Sequence, residues 1–234
     1  MNGILHDIYH LVDADGNPIP GTGSIWPTLA EYEAYARNDG STVEVWTPEP
    51  QFPLYSQRNS VWKDHPLGGP PLTGGIQTTI GQYGCVITAL AMGLTGTLGK
   101  SYTPDEVNDA IKAVGGFSGI NRNLLMFNKV LEALPVGLLG VYTCATVPAP
   151  VDIINDAVSM EEIVLIKIDM DLTDPDVDSH YLLVVGGDSD TRYICHDPWL
   201  LPKDQRPIEL PPAYCKQGWD AARAIFAAVI FTIP

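Results

Sequence analysis

Cys85 follows Gly84 at the start of Gly84–Leu94, a run that is hydrophobic on nearly every side. Such a run reads as a helix buried in a core. A thiol in its first turn meets the positive end of the helix dipole and free backbone N–H groups. Both stabilise the thiolate, which is the reactive form of cysteine. A thiolate mechanism also needs a base. His180 opens the strand-like run Ser179–Val185, directly after an acidic loop. Asp188–Asp190 then makes a turn, Arg192–His196 returns antiparallel, and Asp197-Pro198-Trp199 ends the return. A hairpin brings the end of its second strand back beside the start of its first, so His180 and Asp197 are expected to be neighbours. A carboxylate next to an imidazole fixes its tautomer and raises its basicity. Thiol, imidazole and carboxylate so placed support nucleophilic catalysis through a thiolate–imidazolium pair.

Two roles have rival candidates. His196 adjoins Asp197 and is an alternative base, although its side chain is expected on the face opposite Asp197. Gln57 lies in the loop before the nucleophile helix, where its amide N–H₂ and the Cys85 backbone N–H could hold a developing oxyanion. Gln77 and Gln82 are nearer to Cys85 in sequence and compete for that role. The other cysteines, Cys144, Cys195 and Cys215, form no C-x-x-C pair, so no zinc site is expected. Cys195 sits in a strand-like run and reads as a small buried hydrophobe. Asp13–Asn17 lacks the sixth-position Gly and the later Glu of a calcium loop, which leaves a turn. Neither metal nor cofactor is expected.

The elements that must position these residues follow from pattern. Ile8–Val12 is strand-like, and Thr28–Glu31 has a capping-box pattern that opens a short helix ending near Arg37. Thr42–Trp46 alternates like a strand, and the Pro-rich Thr47–Pro50 reads as a link. Residues 1–50 are therefore expected to form a small hairpin–helix–strand appendage, and residues 51–234 the main domain. Thr103-Pro104-Asp105-Glu106 is a strong helix start: an N-cap, Pro at the first position and acids in the first turn. That helix should run to about Val114. Asn121–Leu134 reads as a second amphipathic helix, ended by Pro135. Val164–Ile168, His180–Val185, Tyr193–His196 and Ala228–Ile233 are short β-rich runs suited to an antiparallel sheet. Helices followed by strands make an α+β architecture. The Gly- and Pro-rich stretch Leu67–Gln82 is expected to form a mobile wall of the cleft.

Composition narrows the partners. The 13 Lys and Arg against 28 Asp and Glu give a net charge of −15, which argues against nucleic acid. Apolar runs such as Leu182–Val185 and Ala224–Phe231 are far too short to span a bilayer. The N-terminus has no cationic stretch followed by an apolar core, so no secretory signal is expected, and the chain reads as soluble.

Five motifs occur in order: Tyr-x-Gln-x-x-x-x-Trp at 55–62, Gly-Cys-Val-Ile-Thr-Ala-Leu-Ala-Met at 84–92, Thr-Pro-Asp-Glu-Val-Asn at 103–108, Ser-His-Tyr-Leu-Leu-Val-Val-Gly-Gly at 179–187 and His-Asp-Pro-Trp at 196–199. As a set they resemble the C39-like peptidases of the papain superfamily, from about Leu54 to Trp199. The resemblance implies a papain-like fold, with Cys85 as nucleophile and His180 as general base. It also implies Asp197 as the orienting carboxylate and Gln57 in the oxyanion hole. The branch that cuts after a double glycine typically has Asp before the Cys and Gly after it, whereas this chain has Gly84 and Val86. Double-glycine specificity is therefore not expected. C39-like domains also resemble parts of phage lysins, which makes a peptide or a peptidoglycan stem peptide the expected substrate. The same three residues would equally support acyl transfer to an amine. The alternative reading is a non-catalytic interaction protein on the same scaffold, such as a phage-associated binding component.

Overall fold

A computed structural model describes residues 8–12, 24–25, 42–44, 52–171, 173, 178–189, 192–210, 213–216 and 218–233. The chain divides into two compact units, Met1–Gln51 and Phe52–Pro234. In the first unit, β1 (Ile8–Val12) pairs antiparallel with both β2 (Ser24–Ile25) and β3 (Thr42–Glu44), giving the order β2-β1-β3. The helix expected at Thr28–Arg37 lies outside the described residues.

The second unit is α+β. Its helices are α1 (Ile80–Tyr83), α2 (Cys85–Leu98), α3 (Pro104–Ala113), α4 (Phe127–Ala133), α5 (Val151–Ser159) and α6 (Ala221–Ala224). Its main strands are β6 (Gly137–Thr143), β7 (Ile163–Asp169), β8 (Ser179–Gly187), β9 (Tyr193–His196), β10 (Pro207–Leu210) and β11 (Ala227–Thr232). They form one sheet in the order β10-β9-β8-β7-β11-β6, antiparallel at every pairing. A separate two-stranded pair joins β4 (Phe117–Ser118) to β5 (Leu124–Leu125).

The sheet is covered on both faces, which explains why its central strands read as continuous apolar runs. Ile163 and Leu165 of β7, Leu183 of β8, and Val229 and Phe231 of β11 enter a core shared with α2, α3 and α4. The intervening residues Val164, Ile166, Leu182, Val184, Ala228 and Ile230 enter a second core with Ile154 and Ala157 of α5 and with α6. With a strand period of two, each run supplies both layers.

Helix α2 is buried from Val86 to Leu94 without a break. At Gly93 it lies so close to the sheet that an added Cβ would sit 2.5 Å from Ile163 Cγ2. Helix α3 begins as the sequence predicts. Glu106 Oε2 accepts the Thr103 N–H at 2.9 Å, and Val107 and Ile111 are buried in the first core.

Two expectations are corrected. Asn121–Leu134 is not one helix: Leu124–Leu125 is strand, and the helix spans Phe127–Ala133. Arg122 adopts φ +51°, a left-handed conformation that no helix passes through, and its N–H bonds Gly119 O at 3.1 Å in a turn. Leu67–Gln82 is anchored rather than loose. Leu72 N–H bonds Ile120 O, Gly69 N–H bonds Arg122 O, and Ile76 N–H bonds Asn121 Oδ1. Buried Asn108 ties it further, accepting from Gly68 N–H at 2.8 Å and donating to Pro66 O at 3.1 Å. Finally, β6, β10, α5 and α6 are elements that the pattern did not reveal. Among the described residues, no helix is long and apolar enough to cross a membrane.

Candidate active site

Helices α1 and α2 are separated by Gly84 alone. A Cβ there would sit 2.5 Å from Ile80 O and 2.6 Å from Ile80 Cγ2, so only glycine allows the chain to pass this tightly from one helix into the next. The effect is to make Cys85 the first residue of α2. It is half-buried and lines the same cleft as His180 and Tyr181. Burial pushes the thiol up. The His180 hydrogen bond and charge, with the backbone donors of Tyr181 and Val86, overcome it and hold the pKa below its ordinary value of 9.0.

His180 is the second residue of β8. Its Nε2 lies 2.7 Å from Asp197 Oδ1, which leaves Nδ1 to face the thiol. In the β8–β9 ladder, Leu183 pairs with His196, and one further step sets Asp197 opposite Leu182. His180 and Asp197 are therefore diagonal neighbours on one face, within reach of each other's side chains. Burial disfavours charge on His180, but hydrogen bonds to Asp197 and Cys85 more than compensate and raise its pKa from 6.5 to about 9. Asp197 is fully buried. Burial alone would raise it, yet His180, then Tyr214 and the Trp199 N–H at 2.8 Å, hold it below the usual carboxylate range. All three shifts run toward a thiolate–imidazolium pair beside a carboxylate.

Gln57 reaches the site from the other side. Trp62 donates from Nε1 to Ser56 O at 2.8 Å and packs edge-on against Tyr55, with ring centroids 5.5 Å apart. Tyr55 N–H in turn contacts Met92 Sδ of α2 at 3.1 Å. The Tyr-x-Gln-x-x-x-x-Trp motif is therefore a bracket that clasps the nucleophile helix, with Gln57 at its centre. Gln57 is 1% exposed, and its backbone N–H bonds Pro198 O at 2.8 Å, beside Asp197. Its Nε2 gives one proton to Gly81 O at 3.2 Å, which leaves the second for a ligand.

These residues border a cleft of about 470 Å³, lined by Gln57, Cys85 and His180 together with Phe127, Tyr181 and Trp199. The rivals are accounted for. His196 Nδ1 lies 3.2 Å from Pro53 O, and burial pushes its pKa down to about 4, so it stays neutral away from the thiol. Gln77 donates to Leu67 O and Thr78 O and does not line the cleft. Gln82 does line the cleft, with its Oε1 accepting the Thr79 N–H. Cys195 is fully buried, as its strand position implied, and its pKa is raised chiefly by burial. One participant was missed: Tyr214, whose hydroxyl donates to Asp197 Oδ2 at 2.6 Å. It stands in an irregular segment after β10, where no periodicity or motif could mark it. Among the described residues, no group of three or more His, Cys, Asp or Glu side chains is placed to hold a metal ion. No protein-family model matches the chain, and no curated protein matches it in sequence.

Proposed function

We propose that this chain is a cysteine peptidase of the papain-like, C39-like kind, acting on a peptide amide through Cys85, His180 and Asp197. The observation that carries this reading is that Cys85, at the head of a buried helix, and His180, hydrogen-bonded to buried Asp197, line one cleft. The papain-like fold belongs to the same proposal. It is supported by a nucleophile at the start of a buried helix and a base at the start of an antiparallel strand.

In the proposed reaction the Cys85 thiolate attacks the scissile carbonyl carbon. The oxyanion accepts hydrogen bonds from the Cys85 backbone N–H and the second proton of Gln57 Nε2. As the C–N bond breaks, the leaving amine takes a proton from His180 Nδ1. The resulting thioester is attacked by water, which gives its proton to the now neutral His180, and thiolate and acid are released. Asp197 keeps the ring oriented in both steps. A cell-wall stem peptide is the substrate suggested by the lysin-like resemblance.

The test is labelling with a thiol alkylator at slightly acidic pH, followed by a peptide-library cleavage screen of wild type and Cys85→Ala. The expected result is selective labelling of Cys85 and cleavage that the substitution abolishes. A Cys85 no more reactive than an ordinary thiol would leave the binding-scaffold reading instead.

A further inference from the structure

The buried carboxylate of Asp197 has two oxygens with different duties. Oδ1 accepts from His180 Nε2 at 2.7 Å and from the Trp199 N–H at 2.8 Å. Oδ2 accepts from the Tyr214 hydroxyl at 2.6 Å. A carboxylate can turn about its Cβ–Cγ bond and exchange its oxygens, so a donor on Oδ2 fixes which oxygen faces the imidazole. The Tyr214 ring also lies against His180, with centroids 6.2 Å apart and planes tilted by 59°. We propose that Tyr214 is a positioning residue for the reaction, locking the Asp197 carboxylate so that Oδ1 holds His180 in its working orientation. This inference rests on the cysteine peptidase reading given above.

Tyr214 acts through Asp197 and touches neither the thiol nor the cleft lining. Its role differs from that of the Trp199 N–H, which comes from the same turn as Asp197 and is fixed by local backbone geometry. Tyr214 is brought in by a separate segment, residues 213–216, between β10 and α6. The carboxylate's orientation therefore depends on that segment being docked. Burial raises the phenol's pKa, and the adjacent Asp197 charge raises it further, so the hydroxyl remains a donor throughout the working range. The titratable groups facing Asp197 are His180 from β8, Tyr214, and Cys195 from β9, whose burial keeps it a neutral thiol.

The test measures the alkylation rate of Cys85 by iodoacetamide against pH, read by mass spectrometry at that residue. Tyr214→Phe removes only the hydroxyl, which leaves Oδ2 without its donor and the carboxylate free to turn about its Cβ–Cγ bond. Alkylation at pH 7 is expected to slow by roughly three- to tenfold. The acid limb should move to higher pH, because a His180 ring held less firmly stabilises the Cys85 thiolate less. In the Asp197→Asn background the same substitution should change the rate less than twofold. Replacing Tyr214 with 3,5-difluorotyrosine, a stronger donor, should move the acid limb the opposite way without altering the packing. Equal slowing in both backgrounds, or an acid limb that neither replacement moves, would overturn the proposal and leave a packing role. A wild-type Cys85 no faster than a free thiol overturns the peptidase reading itself, which a normal Cys85 with an inert Tyr214 does not.

Discussion

The hydrogen bonds around His180 make a prediction about pH. The ring's pKa is raised from 6.5 to about 9, so imidazolium is available for leaving-group protonation until pH passes about 9. Peptide cleavage by the intact protein should fall above that value. Its acid limb should be set by the lowered Cys85 pKa and should lie below the 9.0 of an ordinary thiol. The same shift ties His180 to stability: its contribution is fully present below pH 6.5 and lost as pH rises through about 9. His180→Ala should slow neutral-pH alkylation of Cys85 by at least about tenfold, since the thiolate loses its main partner. Asp197→Ala should cost on the order of 3 kcal/mol in urea unfolding, because it strands three donors, His180 Nε2, the Trp199 N–H and the Tyr214 hydroxyl, while Asp197→Asn keeps the shape and loses mainly rate. The Cys85–His180–Asp197 set was legible in the sequence because a hairpin is a local device whose ends meet by geometry. Tyr214 was not, because a loop tyrosine carries no sign of what it touches.

The helices and strands place the site through close contacts that leave little tolerance. Gly93 is the clearest case: its missing Cβ would meet Ile163 Cγ2 at 2.5 Å and Leu183 Cδ1 at 3.3 Å. Gly93→Ala should destabilise the protein by about 1–3 kcal/mol, measured by urea unfolding. Adding Ile163→Ala should recover part of that loss, since the two changes share one space. Thr103→Ala should cost about 1 kcal/mol, because the α3 start loses its N-cap side chain. The elements read correctly from sequence were those with their own chemical punctuation. Thr103-Pro104 opens α3, and Asp and Gly clusters bound β8 and β9. β6 carries Gly137 and Gly140, and β10 begins at Pro207, all residues that argue against strands. Both are edge strands of the sheet, where a missing donor or side chain is tolerated. At Asn121–Leu134 the apolar spacing was real, but the left-handed turn at Arg122 overrode it.

At the scale of the molecule, the two hydrophobic cores found among the described residues and every residue of the candidate site lie within Phe52–Pro234. A chain beginning at Phe52 should therefore unfold in one cooperative transition. Circular dichroism in urea checks this. The backbone bond from Gln57 N–H to Pro198 O joins the bracket that clasps α2 to the turn that carries Asp197, segments far apart in sequence. Contacts between such distant segments close late, because loop entropy must be overcome before they are rewarded. In a refolding experiment helical signal should return first and Cys85 reactivity last, so the thiol would serve as a clock for the final docking step.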